Sequence, residues 1–105
     1  MRRSHIFALL LLCLGAAVRP VLAWDGVQTM VPTTIDVTAG SNYGFRVWGP
    51  SCNGTANFAY LLATDDNYNA YVAVILMSKA QGLSVTFFTT LDSSGYCHLG
   101  YISQT

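Results

Sequence analysis

Between Thr33 and Thr38 the chain reads Thr-Thr-Ile-Asp-Val-Thr, apolar at every second position of its centre. A two-residue period marks a strand with one face on a core, so Ile35 and Val37 are expected inward and Asp36 and Thr38 in water. Ala39-Gly40-Ser41-Asn42 is a turn cluster. Tyr43 to Trp48 resumes the strand pattern, with Tyr43, Phe45 and Val47 on one side. These two segments are expected to form a hairpin. A second pair follows further along: Leu83 to Thr90 is rich in β-formers, Asp92-Ser93-Ser94-Gly95 is a turn, and Tyr96 to Ser103 is the last strand. Between the pairs, Gly49 to Thr55 is a loop by composition. Phe58-Ala59-Tyr60-Leu61-Leu62 is a short apolar run of the kind a buried strand shows. Val27 to Met30 is too short a pattern to assign.

The remaining segment, Asp65-Asp66-Asn67-Tyr68 onward, predicts a helix over residues 66–81. Thr64, Asp65 or Asp66 supplies an acceptor for its free N–H groups, and Gly82 suits the left-handed residue that ends it. At 100° per residue the helix has two apolar arcs. Tyr68, Tyr71, Val72, Ile75 and Leu76 form a bulky one, with the stem of Lys79 packing into it. Ala70, Ala73, Met77 and Ala80 form a second, made mostly of small side chains. A surface helix of a small domain usually needs one stripe. The bulky arc, having more area to bury, is expected on the chain's own sheet. The small-residue arc is either wrapped by that sheet or is the face of a homo-oligomer.

Composition changes this picture at the start of the chain. Arg2 and Arg3, the uncharged apolar run Ile6–Val18, and Val21-Leu22-Ala23 with small residues at the cleavage positions read as an export signal over residues 1–23. The run of 13 residues is short of the roughly 20 needed to span a bilayer. Of 105 residues, removal of 23 leaves a single domain of 82 that starts at Trp24. Only Arg46 and Lys79 then face five aspartates, a net charge of −3, so the chain lacks the basic footprint of a nucleic-acid or anionic-membrane binder. Cys13 leaves with the signal. Cys52 and Cys97 remain as an even pair in an exported chain, which predicts a disulfide between them and a secreted or periplasmic location.

Candidate chemistry is sparse. His98 is the one histidine left, too few ligands for a metal site, and no cofactor motif occurs. As a general base it lacks a legible partner: Cys97 is tied in the disulfide and alternation points the two to opposite faces. Adjacent Asp65 and Asp66 read as helix caps rather than a catalytic pair. These features predict no enzyme. Aromatic residues are plentiful and mostly expected in the core, but Trp48 adjoins the Gly49–Thr55 loop, where with Asn53 it forms a candidate polar–aromatic ligand patch. Asn53-Gly54-Thr55 is also a formal glycosylation sequon.

Residues 52–105, with Cys52, "FAYLLATDDNYNAYVAVILMSKAQGLSVTFF" and "GYCHLGYISQT", resemble the B subunits of AB5 bacterial toxins in layout. That resemblance implies an exported, disulfide-bonded OB-fold protein with one long helix before the last two strands. It also implies assembly into pentameric rings and binding of cell-surface glycans, and it assigns no sugar-contacting residue here. The fold expected is therefore α+β, a small twisted antiparallel sheet or partial OB-like barrel with one central helix. The function expected is a secreted, non-catalytic binding module with a glycan or protein partner. An envelope or extracellular inhibitor of another protein is the alternative, and a small hydrolase is a third reading.

Overall fold

A computed structural model describes residues 24–39 and 44–105. Residues 1–23, read above as an export signal, and residues 40–43, which include most of the expected turn and Tyr43, lie outside the described residues. Six strands and one helix follow in the order β1 (Gly26–Met30), β2 (Thr34–Val37), β3 (Phe45–Trp48), β4 (Phe58–Leu61), α1 (Tyr68–Gln81), β5 (Val85–Leu91) and β6 (Cys97–Gln104). The strands make one sheet, ordered β1-β5-β6-β4-β3-β2. The class is α+β. No helix among the described residues is long and apolar enough to cross a membrane.

Both expected hairpins form, β2 on β3 and β5 on β6. The unassigned segment becomes β1, antiparallel to β5 from Gly26↔Thr89 to Met30↔Val85. The expectation of an antiparallel sheet is corrected at one place: β4 and β6 run parallel, with Ala59 beside Cys97 and Tyr60 beside His98. Helix α1 is the reason. It carries the chain over to β5, two positions from β4, and the hairpin return then places β6 in the gap in β4's own direction.

The sheet is open, with β1 and β2 as its edges. Yet only Val31, Pro32 and Thr33 separate the two in sequence. Four Cα steps from Met30 to Thr34 reach at most about 14 Å, whereas six strands laid flat would hold their edges roughly 24 Å apart. The sheet must therefore curl enough to bring the Met30 end of β1 near the Thr34 end of β2. The core agrees: Phe45, Val47, Ala59, Leu61, Val85, Phe87 and Leu99 line the concave side, and Met30 from β1 and Ile35 from β2 reach it from opposite edges. Val37 does not. Expected inward, it lies at the far end of edge strand β2 and is 74% exposed.

Helix α1 starts at Tyr68 rather than residue 66, and no side chain caps it. Asn67 occupies the N-cap in a left-handed conformation, φ 60°. None of the three candidate caps, Thr64, Asp65 and Asp66, serves, and Asp65 is spent elsewhere: its carboxylate accepts the Leu62 N–H at 2.8 Å, and its carbonyl takes the Tyr68 N–H at 3.2 Å. Gly82 ends the helix as expected, at φ 69°, with the Leu83 N–H donating to the Ser78 carbonyl at 2.9 Å. Tyr68, Tyr71, Val72 and Ile75 do face the sheet. Leu76, expected with them, is 46% exposed, because the buried stripe continues to Ser78, three residues after Ile75, and Leu76 lies 100° to one side. The small-residue face, Ala70, Ala73, Met77 and Ala80, is exposed throughout.

The Cys52–Cys97 disulfide is formed, with Cα atoms 5.7 Å apart and both residues buried. It ties the β3–β4 loop to the start of β6. Thr55 reinforces this tie, its N–H and Oγ1 both donating to the Gly95 carbonyl, at 2.9 and 3.2 Å.

Candidate functional site on the outer sheet face

Alternation that sends Val47, Ala59 and Leu61 inward sends Arg46, Trp48, Phe58 and Tyr60 to the convex face. Strand register then lines them up. Asp36 of β2 pairs with Arg46 of β3, Arg46 with Tyr60 of β4, and Tyr60 with His98 of β6, so four polar or aromatic side chains form one row across four strands. Trp48 pairs with Phe58 in a second row alongside.

Contacts within these rows fix each group. The Trp48 indole Nε1–H donates to Asp36 Oδ2 at 2.7 Å, and Arg46 Nη2 donates to the same oxygen at 3.2 Å. The Arg46 guanidinium lies 5.4 Å from the centre of Phe58 and 5.9 Å from that of Trp48. Trp48 packs on Phe58 at 4.9 Å, and Phe58 stacks on Tyr96 at 5.5 Å. Phe58 and Tyr60 are thus buried outside the main core, under a shell in which Trp48 remains 36% exposed. The charge of Arg46 is balanced locally by Asp36, and its guanidinium packs against the Phe58 and Trp48 rings.

The other end of the row holds two further carboxylates. His98 stacks on Tyr60 at 4.9 Å, and its Nε2 sits 2.8 Å from Asp65 Oδ2. The Tyr60 hydroxyl donates to Asp92 at 2.6 Å. Burial would raise the Asp92 pKa, but hydrogen bonds from Tyr60 and from the backbone N–H groups of Tyr96 and Ser94 outweigh it and hold the carboxyl below its ordinary value of 3.8. The Asp65–His98 pair has the arrangement of a base and its orienting acid. Asp65 orients the His98 ring. The pair does not by itself make a nucleophile.

Of the residues singled out in the sequence, Trp48 stands at the centre of this face. Asn53 is exposed at the tip of the loop that Trp48 begins, with φ 68°, while a Gly49 N–H to Asn57 carbonyl bond of 2.7 Å closes the loop's base. Asp65, read as a cap, belongs to the face through His98. Asp36 was expected to face water, but its meeting with Arg46 and Trp48 was missed, although alternation along the β2–β3 hairpin carries the signal. Asp92 and Tyr60 were not legible, because their meeting depends on the β4–β6 pairing. Among the described residues no group of three His, Cys, Asp or Glu side chains is placed to hold a metal ion. No family model matches the chain, and neither a curated protein nor a solved structure shows significant similarity to it.

Proposed function

We infer that this chain is a secreted, non-catalytic binding module that holds a glycan on the convex face around Trp48. The observation that carries the reading is the indole itself, part exposed and pinned through Nε1 to Asp36 beside the Arg46 guanidinium. A flat aromatic surface ringed by fixed donors and acceptors suits a sugar, whose C–H face stacks while its hydroxyls bond outward. The topology supports it. The strand order is compatible with an OB-like barrel if β1 and β2 are counted as two halves of one strand bent at Pro32; such barrels take oligosaccharides on the face of their second and third strands, which would be β3 and β4 here. A glycan array on the disulfide-bonded chain is expected to give binding that Trp48→Ala abolishes; an array without any hit removes the reading.

A protein partner is the second reading, favoured by the exposed helix face with Leu76 46% and Met77 42% exposed beside Ala70, Ala73 and Ala80. Assembly of copies through that face, a ring as in toxin B subunits, is the form we propose. Light scattering should show an oligomer that Ala73→Glu dissociates without unfolding the monomer. A monomer at high micromolar concentration would leave the face to another protein, as in an envelope inhibitor, and capture from the native host would then identify it.

A further inference from the structure

The geometry points to a second sugar-binding subsite, for a single neutral pyranose ring, in the groove between the first half of α1 and strand β6. This rests on the reading of the chain as a glycan-binding module. The groove has a volume of about 290 Å³ and is lined by Asn67, Ala70, Tyr71, Val74, Tyr101 and Ile102. That is at the lower limit for ligand pockets, roughly 300 Å³, and suits one ring rather than a chain of them.

Its aromatic wall is built deliberately. Opposite Phe88 and Thr89 the β5–β6 register shifts, so that Leu99 pairs with Thr89 and Tyr101 with Phe88, leaving Gly100 as an extra residue. Without this bulge, alternation from the buried Leu99 would turn Tyr101 inward; with it, Tyr101 stands outside and Ile102 turns in. Trp24 lies over Gly100 so closely that an added Cβ would meet its ring at 2.5 Å. The Tyr101 ring is braced by Phe88 at 5.0 Å and Trp24 at 6.5 Å, yet remains 51% exposed. A braced, exposed aromatic ring loses little freedom when a ligand stacks on it.

The polar groups select the occupant. No charged side chain lines the groove, which disfavours an anionic or cationic ligand. The Tyr71 hydroxyl donates to the Gly100 carbonyl at 3.0 Å, which orients it and leaves its oxygen able to accept. Asn67 makes no side-chain capping bond to the helix, so its amide offers both donors and an acceptor at the mouth. A purely aliphatic occupant would cover these groups without pairing them, at a cost. A neutral ring with one apolar face and a rim of hydroxyls meets both demands.

The test is an NMR titration of the ¹⁵N-labelled, disulfide-bonded full chain with the methyl glycosides of galactose, glucose, mannose and N-acetylglucosamine at millimolar concentration. At least one sugar is expected to shift the Ala70, Tyr71, Val74 and Tyr101 amides saturably. Tyr101→Ala, and separately Asn67→Gly, which keeps the left-handed backbone while removing the amide, should each weaken that binding by about tenfold and leave the response around Trp48 unchanged. Shifts around Trp48 with a silent groove overturn the subsite and keep the glycan reading. Silence at both overturns both. Groove binding that survives both substitutions overturns the assignment of its contacts.

Discussion

Asp92 is the residue whose environment differs most from what its sequence neighbourhood suggests. Read as the first residue of a turn, it does bond the turn's backbone, with the Ser94 and Tyr96 N–H groups at 2.8 and 2.9 Å. It also receives the Tyr60 hydroxyl from a strand 32 residues earlier. A carboxylate held by three donors, from Tyr60, Ser94 and Tyr96, is stabilised as the anion, and its pKa lies below that of the unfolded chain. The sign of the pH effect follows. This contribution to stability is fully present above the unfolded value of about 3.9 and is lost as pH falls through the lower folded value. Thermal melts from pH 7 to pH 2 should therefore show a fall in Tm beginning near pH 4. In Asp92→Asn the melting temperature at pH 7 should be lower and its fall below pH 4 shallower. Equal acid slopes in the two proteins would show that other carboxylates carry the effect.

At the scale of the element, α1 shows where pattern reading succeeds and where it stops. Spacing identified the sheet-facing stripe through Tyr68, Tyr71, Val72 and Ile75, because those positions recur every three or four residues whatever the partner. The stripe's continuation at Ser78 was hidden, since a polar residue at a buried position carries no apolar signal. Its hydroxyl oxygen is buried without a hydrogen-bond partner. Such a group costs about 1–3 kcal/mol, and alanine is also the better helix former. Ser78→Ala should stabilise the domain by about 1 kcal/mol, read as a higher urea midpoint at unchanged slope. A lower midpoint would mean that the hydroxyl has a partner after all. The strands divide similarly. Five of the six were legible, β2, β3, β5 and β6 because hairpin partners adjoin in sequence and β4 as a continuous apolar run, while β1 was too short a pattern to assign. The parallel β4–β6 pairing was not, because it joins segments separated by the whole helix and a further strand. The row from Asp36 to His98 inherits that split: its β2–β3 half follows from alternation, and its β4–β6 half only from the fold.

For the whole molecule the central problem is how so short a chain closes a core. The concave sheet is filled by side chains from all six strands and capped by α1, yet its edges are joined only through the three-residue link at Pro32. The far side of the sheet depends on the β4–β6 pairing, which has just two register pairs, Ala59↔Cys97 and Tyr60↔His98. The disulfide acts at this weak seam. Cys97 is itself one of the paired residues, and Cys52 comes from the loop that leads into β4. With 45 positions between them, the chain-entropy estimate gives about 4 kcal/mol of stabilisation, against a total on the order of 5 kcal/mol for a small domain. Losing the bond should therefore do more than lower a midpoint. In Cys52→Ala/Cys97→Ala, β4 and β6 should part first, so amide exchange should speed most at Ala59, Tyr60, His98 and Leu99, while the β2–β3 hairpin keeps its relative protection. The convex face should fail at the same time, since Tyr60 and His98 bridge that seam and the stack from Trp48 through Phe58 to Tyr96 crosses from β3 and β4 to the edge of β6. A double variant that melts within a few degrees of the parent, with exchange raised evenly over the sheet, would show that the curled sheet closes its core without the covalent tie.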